Sequence, residues 1–398
     1  MNQIVLTRIE LNSSKYIIYL ELNGNRQIVN LRLSSDDSES ILNNIYTARV
    51  DNIVPSINSA FVRINQDTNC YLSLNNIRNC IYTHKYSKKE GICAGDEILV
   101  QVVKDAVKTK DYTVSTKLTL YGRYSILTTD NISISVSKKI DKTYSQEIKT
   151  LINDQYTSHE DEGYGLIIRT NAQNITFEEL LSDIDELVNL YTSIKEKAAH
   201  SSIYSCVYHS PAEYILTLNS VNLSEIERIT TDQPDIYTLL QQYINSQYAD
   251  LLSLYQDDMV KLSTLYNINS QLDKLLSKKI WLNSGANIII EQLETLTVID
   301  VNTAKNQSKK NIFLKINIEA AIEIIRQLKL RNISGMIIID FINMKNDKDI
   351  ETLIRTIKSQ IQKEDTNCSF IDITKLGLVE LTRKKTHKSL KEQLSKNN

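Results

Sequence analysis

The sequence predicts an α+β protein made of several domains, and three observations lead to this prediction. The chain has 398 residues, which exceeds the size of one typical domain. Residues 1–120 contain short runs of β-forming residues with almost no helical periodicity, whereas residues 279–398 alternate strand-like and helix-like segments. Two such different patterns in one chain require separate cores.

The composition is that of a globular protein and excludes several classes of function. Hydrophobic residues make up 41% of the chain and charged residues 24%, so sizeable cores can be buried. The net charge of −2 argues against a uniformly basic coat for nucleic acid, so any polyanion would need a local basic patch. No apolar run approaches the roughly 18 residues of a membrane span, and the N-terminus shows no signal or transit peptide.

The cysteines indicate where the protein is expected to reside. There are five, an odd number, and no two form a C-x-x-C pair. We therefore expect reduced thiols and a soluble, intracellular protein. The abundance of Asn, Ile, Lys and Tyr is typical of an A+T-rich genome, so the expected location is a bacterial cytoplasm or the stroma of a plastid (chloroplast).

The N-terminal third predicts two β structures in succession. Residues 3–9, 16–21 and 26–32 alternate apolar and polar residues around Asn, Ser and Gly turns, which is typical of an antiparallel meander. Short β-type runs then follow at Tyr46–Val54, Ala60–Ile64, Cys70–Leu74, Glu97–Val103 and Tyr112–Leu120. Strands of this length and spacing suit a small closed barrel of the OB type, and a fragment of a β-sandwich is the alternative.

The remainder predicts a long helix and then an α/β region. Thr176 to Glu179 form a T-x-x-E capping box, and an apolar stripe follows it to about Ala199. Other elements are expected as strands within 132–170, at 205–208, 226–230, 281–300, 335–341 and 369–374, as helices around 236–254, 270–279, 317–330 and 350–361, and as a basic tail.

Two apolar, strand-like runs each end near an aspartate, Asp300 in one and Asp340 in the other. Because a helix-like segment separates the runs, we expect neighbouring strands with both carboxylates on one rim of an α/β sheet. Asn302 shares a strand face with Asp300, since strands repeat every second residue. Hard oxygen ligands of this kind predict a Mg²⁺ site for phosphodiester chemistry. The alternative is that each aspartate forms a turn or a helix cap.

Two basic runs flank this pair of aspartates. Residues 305–331 and 375–396 each carry seven Lys or Arg against two Glu. Most runs of this kind are solvated faces. Their position on both sides of the aspartates favours a local patch for a polyanion.

Two further features are compatible with a nucleic-acid ligand. Phe61 and Tyr71 lie at strand positions where aromatic rings can stack on bases, and burial in the barrel core is the alternative. Arg169 and Thr170 end an apolar run that begins at Gly165. An arginine next to a hydroxyl at a strand end suits a terminal phosphate.

Several segments resemble the motifs of the ribonuclease E/G family, in family order. They are Thr297–Lys305 (A-I-D-I-N-S-A-R), Asn317–Arg331 (N-L-E-A-A…A-R-Q-L-R-L-R), Gly335–Met344 (G-G-L-I-V-I-D-F-I-D-M) and Gly377–Lys384 (G-L-V-E-M-T-R-K). Ile45–Val62 is similar to the start of the family's inserted OB barrel, and Gly165–Thr170 to its 5′-end sensor strand. The resemblance extends from about residue 1 to about residue 390.

The resemblance implies an endoribonuclease that hydrolyses single-stranded, often A/U-rich RNA in RNA processing and mRNA decay. It implies 5′-monophosphate products and Mg²⁺ held by Asp300 and Asp340, with Asn302 supporting the metal and the attacked phosphate. The residues that match RNA contacts are Arg169, Thr170, Gly122 and Ile126 for a 5′-monophosphate pocket, and Phe61, Tyr71 and Lys110 for the barrel surface.

The resemblance also implies a domain arrangement. An inactive RNase H-like domain would comprise residues 1–40 and 215–278. It would be split by an OB-fold RNA-binding barrel over 41–121 and a 5′-sensor region over 122–214. A DNase I-like α/β catalytic domain would follow over 279–398.

The sequence departs from the family pattern in ways that affect assembly. Asn343 replaces the second acidic residue of I-D-F-I-D-M, and the loop after Asp300 is short and lacks Gly-Gly. The sequence stops at Asn398, before the family's C-P-x-C zinc link, and contains no degradosome-assembly arm. We therefore expect a monomer or a weak homodimer without a shared zinc.

Two other functions compete with the nuclease. A catalytically weak RNA-binding accessory protein could keep the same fold, but it would have no use for paired carboxylates that repel RNA. A DNA endonuclease is the least favoured, because an end sensor and a single-strand barrel suit RNA.

Overall fold

The computed structural model describes residues 1–36, 40–75, 77, 79–106, 111–157, 159–173, 175–244, 246–303, 312–363, 368–385 and 388–394. The chain divides into two compact units, one formed by Met1–Asp37 with Ser224–Asn398 and the other by Ser38–Leu223. Both units contain sheets and helices around hydrophobic cores of their own. The predicted α+β architecture with more than one domain is confirmed.

The chain begins with the expected meander. Its strands are β1 (Asn2–Leu11), β2 (Ser14–Leu22) and β3 (Ile28–Ser35). β2 pairs antiparallel with both β1 and β3. The buried residues Ile18, Leu20 and Leu22 alternate along β2 and face one core, which is why the sequence shows a period of two.

A closed barrel follows the meander. Its region contains β4 (Ile45–Val54), β5 (Ser59–Arg63), β6 (Asn69–Ser73), β7 (Tyr82–His84), β8 (Glu97–Lys104) and β9 (Tyr112–Ser115). Strands β4, β5, β6, β9 and β8 pair in that order, and β8 pairs back with β4. This closure confirms the predicted barrel of OB type and excludes the sandwich alternative.

The unit Ser38–Leu223 also contains a small mixed sheet with helices against it. The elements that follow the barrel are β10 (Thr119–Tyr121), β11 (Ser125–Thr128), β12 (Ile134–Val136), α1 (Lys142–Gln155), α2 (His159–Glu162), β13 (Gly165–Ile168), α3 (Phe177–His200), β14 (Cys206–Tyr208) and α4 (Glu213–Asn219). Of these strands, β14 pairs with β4 of the barrel. The sheet order is β10-β11-β13-β12. Sequence reasoning missed α1 because it buries only Ile148 and Ile152, which leaves a weak apolar stripe.

Helix α3 begins where the capping box predicts. The Glu179 backbone N–H donates to Thr176 Oγ1 at 3.2 Å, and the Thr176 N–H donates to Glu179 Oε2 at 3.0 Å. One face of the helix is buried and the other carries charged residues. Among the described residues, no helix is both long and apolar enough to cross a bilayer.

The next elements return to the unit that contains the meander. They are β15 (Ile226–Thr231), α5 (Pro234–Tyr243), β16 (Leu252–Leu254), α6 (Leu262–Leu265) and α7 (Ile268–Leu276). β15 runs parallel to β1, and β16 runs parallel to β15. The predicted helix over 236–254 is therefore interrupted after Tyr243, continues as a 3-10 helix over Ser246–Leu251, and is wrong at Leu252–Leu254, where the backbone groups extend the sheet.

The last elements form a mixed sheet with one face covered by helices. They are β17 (Lys279–Trp281), β18 (Asn287–Gln292), β19 (Leu296–Asn302), α8 (Ile312–Leu330), β20 (Gly335–Asp340), α9 (Asp347–Lys363), β21 (Cys368–Ile373), β22 (Val379–Arg383) and α10 (Leu390–Leu394). The order is β17-β18-β19-β20-β22-β21, and β19 and β20 are parallel. Helices α8 and α9 pack on one face of this sheet.

The segment predicted as a basic tail contains strand β22 and helix α10. Val379 and Leu381 face the core from β22, and Leu390 and Leu394 of α10 are also buried. The prediction of a basic tail after strand 369–374 is therefore wrong over these two elements, because buried apolar residues lie among the charged ones.

None of the five cysteines forms a disulfide bond. Burial raises the pKa of the Cys70 and Cys80 thiols to about 12. Both thiols therefore stay protonated at neutral pH, which makes them poor nucleophiles.

Candidate active site

Asp300 and Asp340 lie side by side in the C-terminal sheet. The register of the parallel pair β19 and β20 places Leu296 opposite Met336 and Asp300 opposite Asp340. Neighbouring strands are about 4.8 Å apart, so the two carboxylates extend from adjacent backbone positions. The structure thus brings together the two side chains that the strand-end pattern singles out.

Both aspartates point away from the helix-covered core. Ile299 and Ile339 precede them, and both are buried on the face that packs against α8 and α9. Asp300 is half-buried and Asp340 is exposed. Because side chains alternate along a strand, both carboxylates lie on the accessible face of the sheet, within reach of a large substrate.

Asn302 orients the first of these carboxylates. Its Nδ2 donates a hydrogen bond of 2.6 Å to Asp300 Oδ2. The amide oxygen of Asn302 points elsewhere and remains a potential hard ligand. Among the described residues, neither aspartate caps a helix or forms an ion pair with Lys or Arg, so the turn-or-cap alternative does not account for them.

Phe61 and Tyr71 form an aromatic pair on the outside of the barrel. They lie opposite one another on β5 and β6, and their ring centroids are 6.3 Å apart at an interplanar angle of 76°. Both are half-buried, whereas their neighbours Val62 and Leu72 are buried in the core. The core alternative for these two rings is therefore wrong.

Charged and polar groups surround this aromatic pair. Asn52 lies opposite Phe61 on β4, and the exposed Arg49 lies opposite Arg63. The Arg63 guanidinium donates to Asp51 Oδ1 at 2.9 Å. Lys110, the third residue expected on this surface, lies outside the described residues.

Arg169 is held against the turn between β10 and β11. Its Nη1 donates to the Gly122 carbonyl at 3.0 Å, and its backbone N–H donates to the Tyr124 carbonyl at 2.8 Å. Thr170 follows it, and the Thr170 hydroxyl lies 2.8 Å from the Ser137 hydroxyl. The structure thus gathers an arginine, a hydroxyl pair and a turn at one edge of the sheet.

Ile126 forms the apolar wall next to this arginine. It lies opposite Tyr121 on β10 and opposite Ile167 on β13, so the three side chains share one face. Tyr121 is 38% exposed and Ile167 is 39% exposed. The four residues that the family resemblance assigns to a phosphate pocket therefore lie around one accessible, partly apolar edge.

Comparison with known proteins identifies the family. The sequence profile of the Ribonuclease E/G family matches residues 119–386, which is more than half of the chain. The chain belongs to the ribonuclease E/G family. The match includes both aspartates and Arg169.

Individual members of the family align over most of this chain. Ribonuclease G of Escherichia coli (strain K12) is 29% identical over 378 residues, which is 92% of this chain and 77% of that protein. Ribonuclease G of Haemophilus influenzae is 30% identical over 369 residues, or 89% of this chain and 74% of that protein. Ribonuclease E of Buchnera aphidicola subsp. Schizaphis graminum is 27% identical over 384 residues, or 92% of this chain and 39% of that protein.

In this ribonuclease E/G family member, Asn317 fixes the backbone near Asp340, and this role was not predicted from the sequence. Its side chain is fully buried in α8. Its Nδ2 donates to the Ile342 carbonyl at 2.8 Å, and the Ile342 N–H donates to its Oδ1 at 3.1 Å. Because Ile342 lies two residues after Asp340, this pair of hydrogen bonds fixes the backbone segment that follows Asp340. The detectable signal was an amide on the apolar stripe of a helix.

Asp183 is a second such residue, on α3. Its carboxylate accepts the backbone N–H groups of Arg123 at 2.7 Å, Tyr124 at 3.1 Å and Ser125 at 2.8 Å. A Cβ added to Gly122 would lie 2.7 Å from Asp183 Oδ2, so this approach requires glycine. Asp183 thereby fixes the turn whose carbonyl holds Arg169.

The basic runs beside the aspartates are partly structural in this family member. Arg383 is buried, and its Nη1 donates to Asn332 Oδ1 at 2.9 Å and to the Ile333 carbonyl at 3.0 Å. Arg326 donates to Glu323 at 2.8 Å. The interpretation of these runs as a local patch for a polyanion is therefore wrong at these two positions, because the guanidinium groups donate to internal acceptors.

Proposed function

We propose that this chain is a Mg²⁺-dependent endoribonuclease that hydrolyses phosphodiester bonds within single-stranded RNA, in RNA processing and mRNA decay. The observation that carries the proposal is the pairing of Asp300 with Asp340 in parallel register, in a chain of the ribonuclease E/G family. The relatives reported above are named ribonucleases G and E, which supports the same activity here.

The donor set fits Mg²⁺. Two carboxylates and an amide oxygen are hard ligands, and Mg²⁺ is commonly bound by one or two carboxylates while it keeps several waters. Among the described residues there is no group of three or more His, Cys, Asp or Glu that could hold a metal ion. A site on Asp300 and Asp340 would therefore leave positions for water and for substrate phosphate.

The residues of the chain have distinct parts in the proposed reaction. Bound Mg²⁺ would neutralise charge on the attacked phosphate and make water a better nucleophile. Asp300 and Asp340 would hold the cation, and Asn302 keeps Asp300 in one orientation through its 2.6 Å hydrogen bond. Asn317 acts as a positioning residue, because it fixes the backbone after Asp340. Attack of water with loss of the 3′-oxygen leaves the phosphate on the downstream fragment as a 5′-monophosphate.

The proposal is tested with matched RNA and DNA oligonucleotides. A 5′-monophosphorylated, A/U-rich RNA is expected to be cut internally with Mg²⁺ and to remain intact with EDTA, and the DNA of the same sequence is expected to resist. The downstream product should carry a 5′-phosphate. Tight RNA binding without cleavage would support the RNA-binding accessory protein instead. Cleavage of both the RNA and the DNA oligonucleotide would favour a general nuclease.

The strand orders support the domain arrangement expected from the family. In the first sheet, β3-β2-β1-β15-β16 combines an antiparallel meander with two parallel strands, as proposed for an RNase H-like domain over 1–40 and 215–278. We assign 41–121 to the RNA-binding barrel, 122–214 to the 5′-sensor region and 279–398 to a DNase I-like catalytic domain. A monomer or a weak homodimer remains our prediction, and sedimentation equilibrium would test it.

We assign single-strand binding to the aromatic pair on the barrel. Replacing Phe61 by alanine is expected to weaken binding to all single-stranded RNA by about 1–3 kcal/mol, because one stacking partner is lost. Fluorescence anisotropy with a short U-rich RNA measures this change. Phe61→Trp, which keeps a stacking surface, is the matched control and should retain most of the affinity. Unchanged affinity in Phe61→Ala would remove this residue from the RNA surface.

We assign recognition of a 5′-monophosphate to the edge formed by Arg169, Thr170, Gly122 and Ile126. The guanidinium is already positioned by the Gly122 carbonyl, so little entropy is lost when it binds a phosphate. The exposed faces of Tyr121 and Ile167 lie beside it, where the first base could rest.

Arg169→Ala is expected to remove the preference for 5′-monophosphate over 5′-hydroxyl RNA while slow internal cleavage continues. A charge-assisted hydrogen bond contributes on the order of 1.5–3 kcal/mol, which corresponds to at least a roughly tenfold preference in rate. Paired cleavage assays with the two substrates measure the ratio. Thr170→Val should lower the ratio in the same direction. Equal preference in wild type and Arg169→Ala would refute this pocket.

A further inference from the structure

A cavity of about 370 Å³ lies in the unit that contains the aspartates, at the end of β18 remote from them. In the β18–β19 register Asn287 lies opposite Asn302, whereas the cavity contacts the other end of β18, where Gln292 lies opposite Thr297. The cavity lining includes Leu275, Leu276, Lys278, Leu293, Arg331 and Lys391. The nuclease mechanism proposed above makes no use of this cavity.

Arg331 contributes to this cavity a buried guanidinium whose hydrogen-bonding capacity is not fully used within the described residues. The side chain is 7% exposed, and its Nε donates to Gln327 Oε1 at 2.7 Å. Its Nη2 is buried and has no hydrogen-bond partner among the described residues. Buried donors without a hydrogen-bond partner are rare in folded proteins, and burying an unpaired cation lowers the free energy of unfolding.

No carboxylate within the described part of the chain pairs with this guanidinium. The nearest acid in its helix, Glu323, already accepts from Arg326 at 2.8 Å and from Gln327 at 2.7 Å. Burial lowers the pKa of Arg331 to about 10, with a weaker opposing attraction from Glu323. The group therefore remains a cation at neutral pH and is not neutralised by deprotonation.

The rest of the lining is suited to an anion with an apolar part. Lys278 and Lys391 add positive charge to that of Arg331. Glu291 also lines the cavity and pairs with Lys278 at 3.1 Å, so it offsets one of these positive charges. Leu275, Leu276 and Leu293 supply apolar walls. The volume is within the range of about 300–1,000 Å³ found for small-molecule sites.

We propose that this cavity is a binding site for a small molecule that carries a phosphate or carboxylate group. The anionic group pairs with Arg331, whose planar guanidinium matches the oxygens of both groups, and the apolar part of the molecule packs on the leucines. The site is separate from the aspartates: Arg331 follows Asn317 by fourteen positions along α8 and its end, which corresponds to about 21 Å at 1.5 Å per residue.

The test is calorimetric titration of the full chain with phenyl phosphate, benzoate, inorganic phosphate and benzyl alcohol at low ionic strength. Phenyl phosphate or benzoate is expected to bind with one site per chain, and the one that binds identifies the anionic group. Benzyl alcohol is expected not to bind, because it lacks the charge. Inorganic phosphate is expected to bind at least tenfold more weakly than phenyl phosphate, because it lacks the apolar part.

Two variants locate the binding. Arg331→Gln should reduce the affinity at least tenfold. Since this residue is buried, Leu276→Trp provides an independent arm: Leu276 is 41% exposed and lines the cavity, so the larger side chain fills the site at little cost to folding. Three results would each overturn the proposal. The first is equal affinity in wild type and Leu276→Trp, and the second is no binding of either anion at millimolar concentration. The third is loss of binding in Arg169→Ala, which would place the anion in the other phosphate pocket.

Discussion

Asp340→Asn and Asp300→Asn are each expected to reduce RNA cleavage by roughly a thousandfold while the fold is retained. Removing one charge from a two-carboxylate site weakens Mg²⁺ binding, and the metal contributes several kcal/mol to transition-state stabilisation, with about 1.4 kcal/mol for each tenfold in rate. Asparagine has nearly the same size as aspartate, and Asp340 is exposed, so the sheet should tolerate the change. Single-turnover cleavage of a labelled RNA at saturating protein measures the effect.

The matched control is Asp347→Asn, an exposed acid in the first turn of α9. It removes one negative charge from the same unit but should leave the cleavage rate within about twofold of wild type, because Asp347 is solvent-exposed and salt screens the field of an exposed charge. RNA affinity should be unchanged or slightly higher in the two active-site variants. Cleavage by either variant near the wild-type rate, or equal activation by Ca²⁺ and Mg²⁺, would argue against the assignment.

Asn317→Leu is expected to lower kcat at least tenfold with little change in KM for RNA. The substitution leaves the Ile342 N–H and C=O without their buried partners. Each unsatisfied group costs about 1–3 kcal/mol, which the protein can avoid only by moving the segment after Asp340. A displacement of this carboxylate disturbs metal binding but not the aromatic contacts of the barrel with RNA.

The measurement must separate positioning from simple loss of stability. Urea unfolding should show a decrease of a few kcal/mol in the free energy of unfolding, and cleavage is then assayed where the variant is fully folded. A higher Mg²⁺ concentration for half-maximal rate in Asn317→Leu than in wild type would reveal the shifted carboxylate. A variant that is less stable but has normal kcat and normal Mg²⁺ dependence would reduce Asn317 to a structural residue.

The paired aspartates could be predicted from the sequence because the pattern there is local and strong. Apolar runs ending at Asp300 and Asp340, with a helix between them, leave a parallel pair as the natural arrangement. The barrel could be predicted for a similar reason, since short alternating strands bury residues such as Val62 and Leu72 at a period of two.

Other features depend on contacts between distant residues and could not be predicted. Leu252–Leu254 joins a sheet with partners about twenty residues earlier, so local helical periodicity was misleading there. Arg331 and Arg383 count as surface charges in a sequence, but the fold buries both. Asn317 and Asp183 act through backbone groups of residues far along the chain, and nothing local indicates those partners. The role of Lys110 remains a prediction because it lies outside the described residues.

The proposed nuclease activity requires that Asp300 and Asp340 together hold one divalent ion at the site of RNA cleavage. The most direct measurement is an electron paramagnetic resonance titration with Mn²⁺ as a substitute for Mg²⁺, comparing wild type with the Asp300→Asn/Asp340→Asn double variant in the presence of a non-cleavable RNA. We predict one Mn²⁺ per chain in wild type and loss of that ion in the double variant, with RNA binding retained. Equal Mn²⁺ binding by the two proteins would show that these aspartates do not hold the ion.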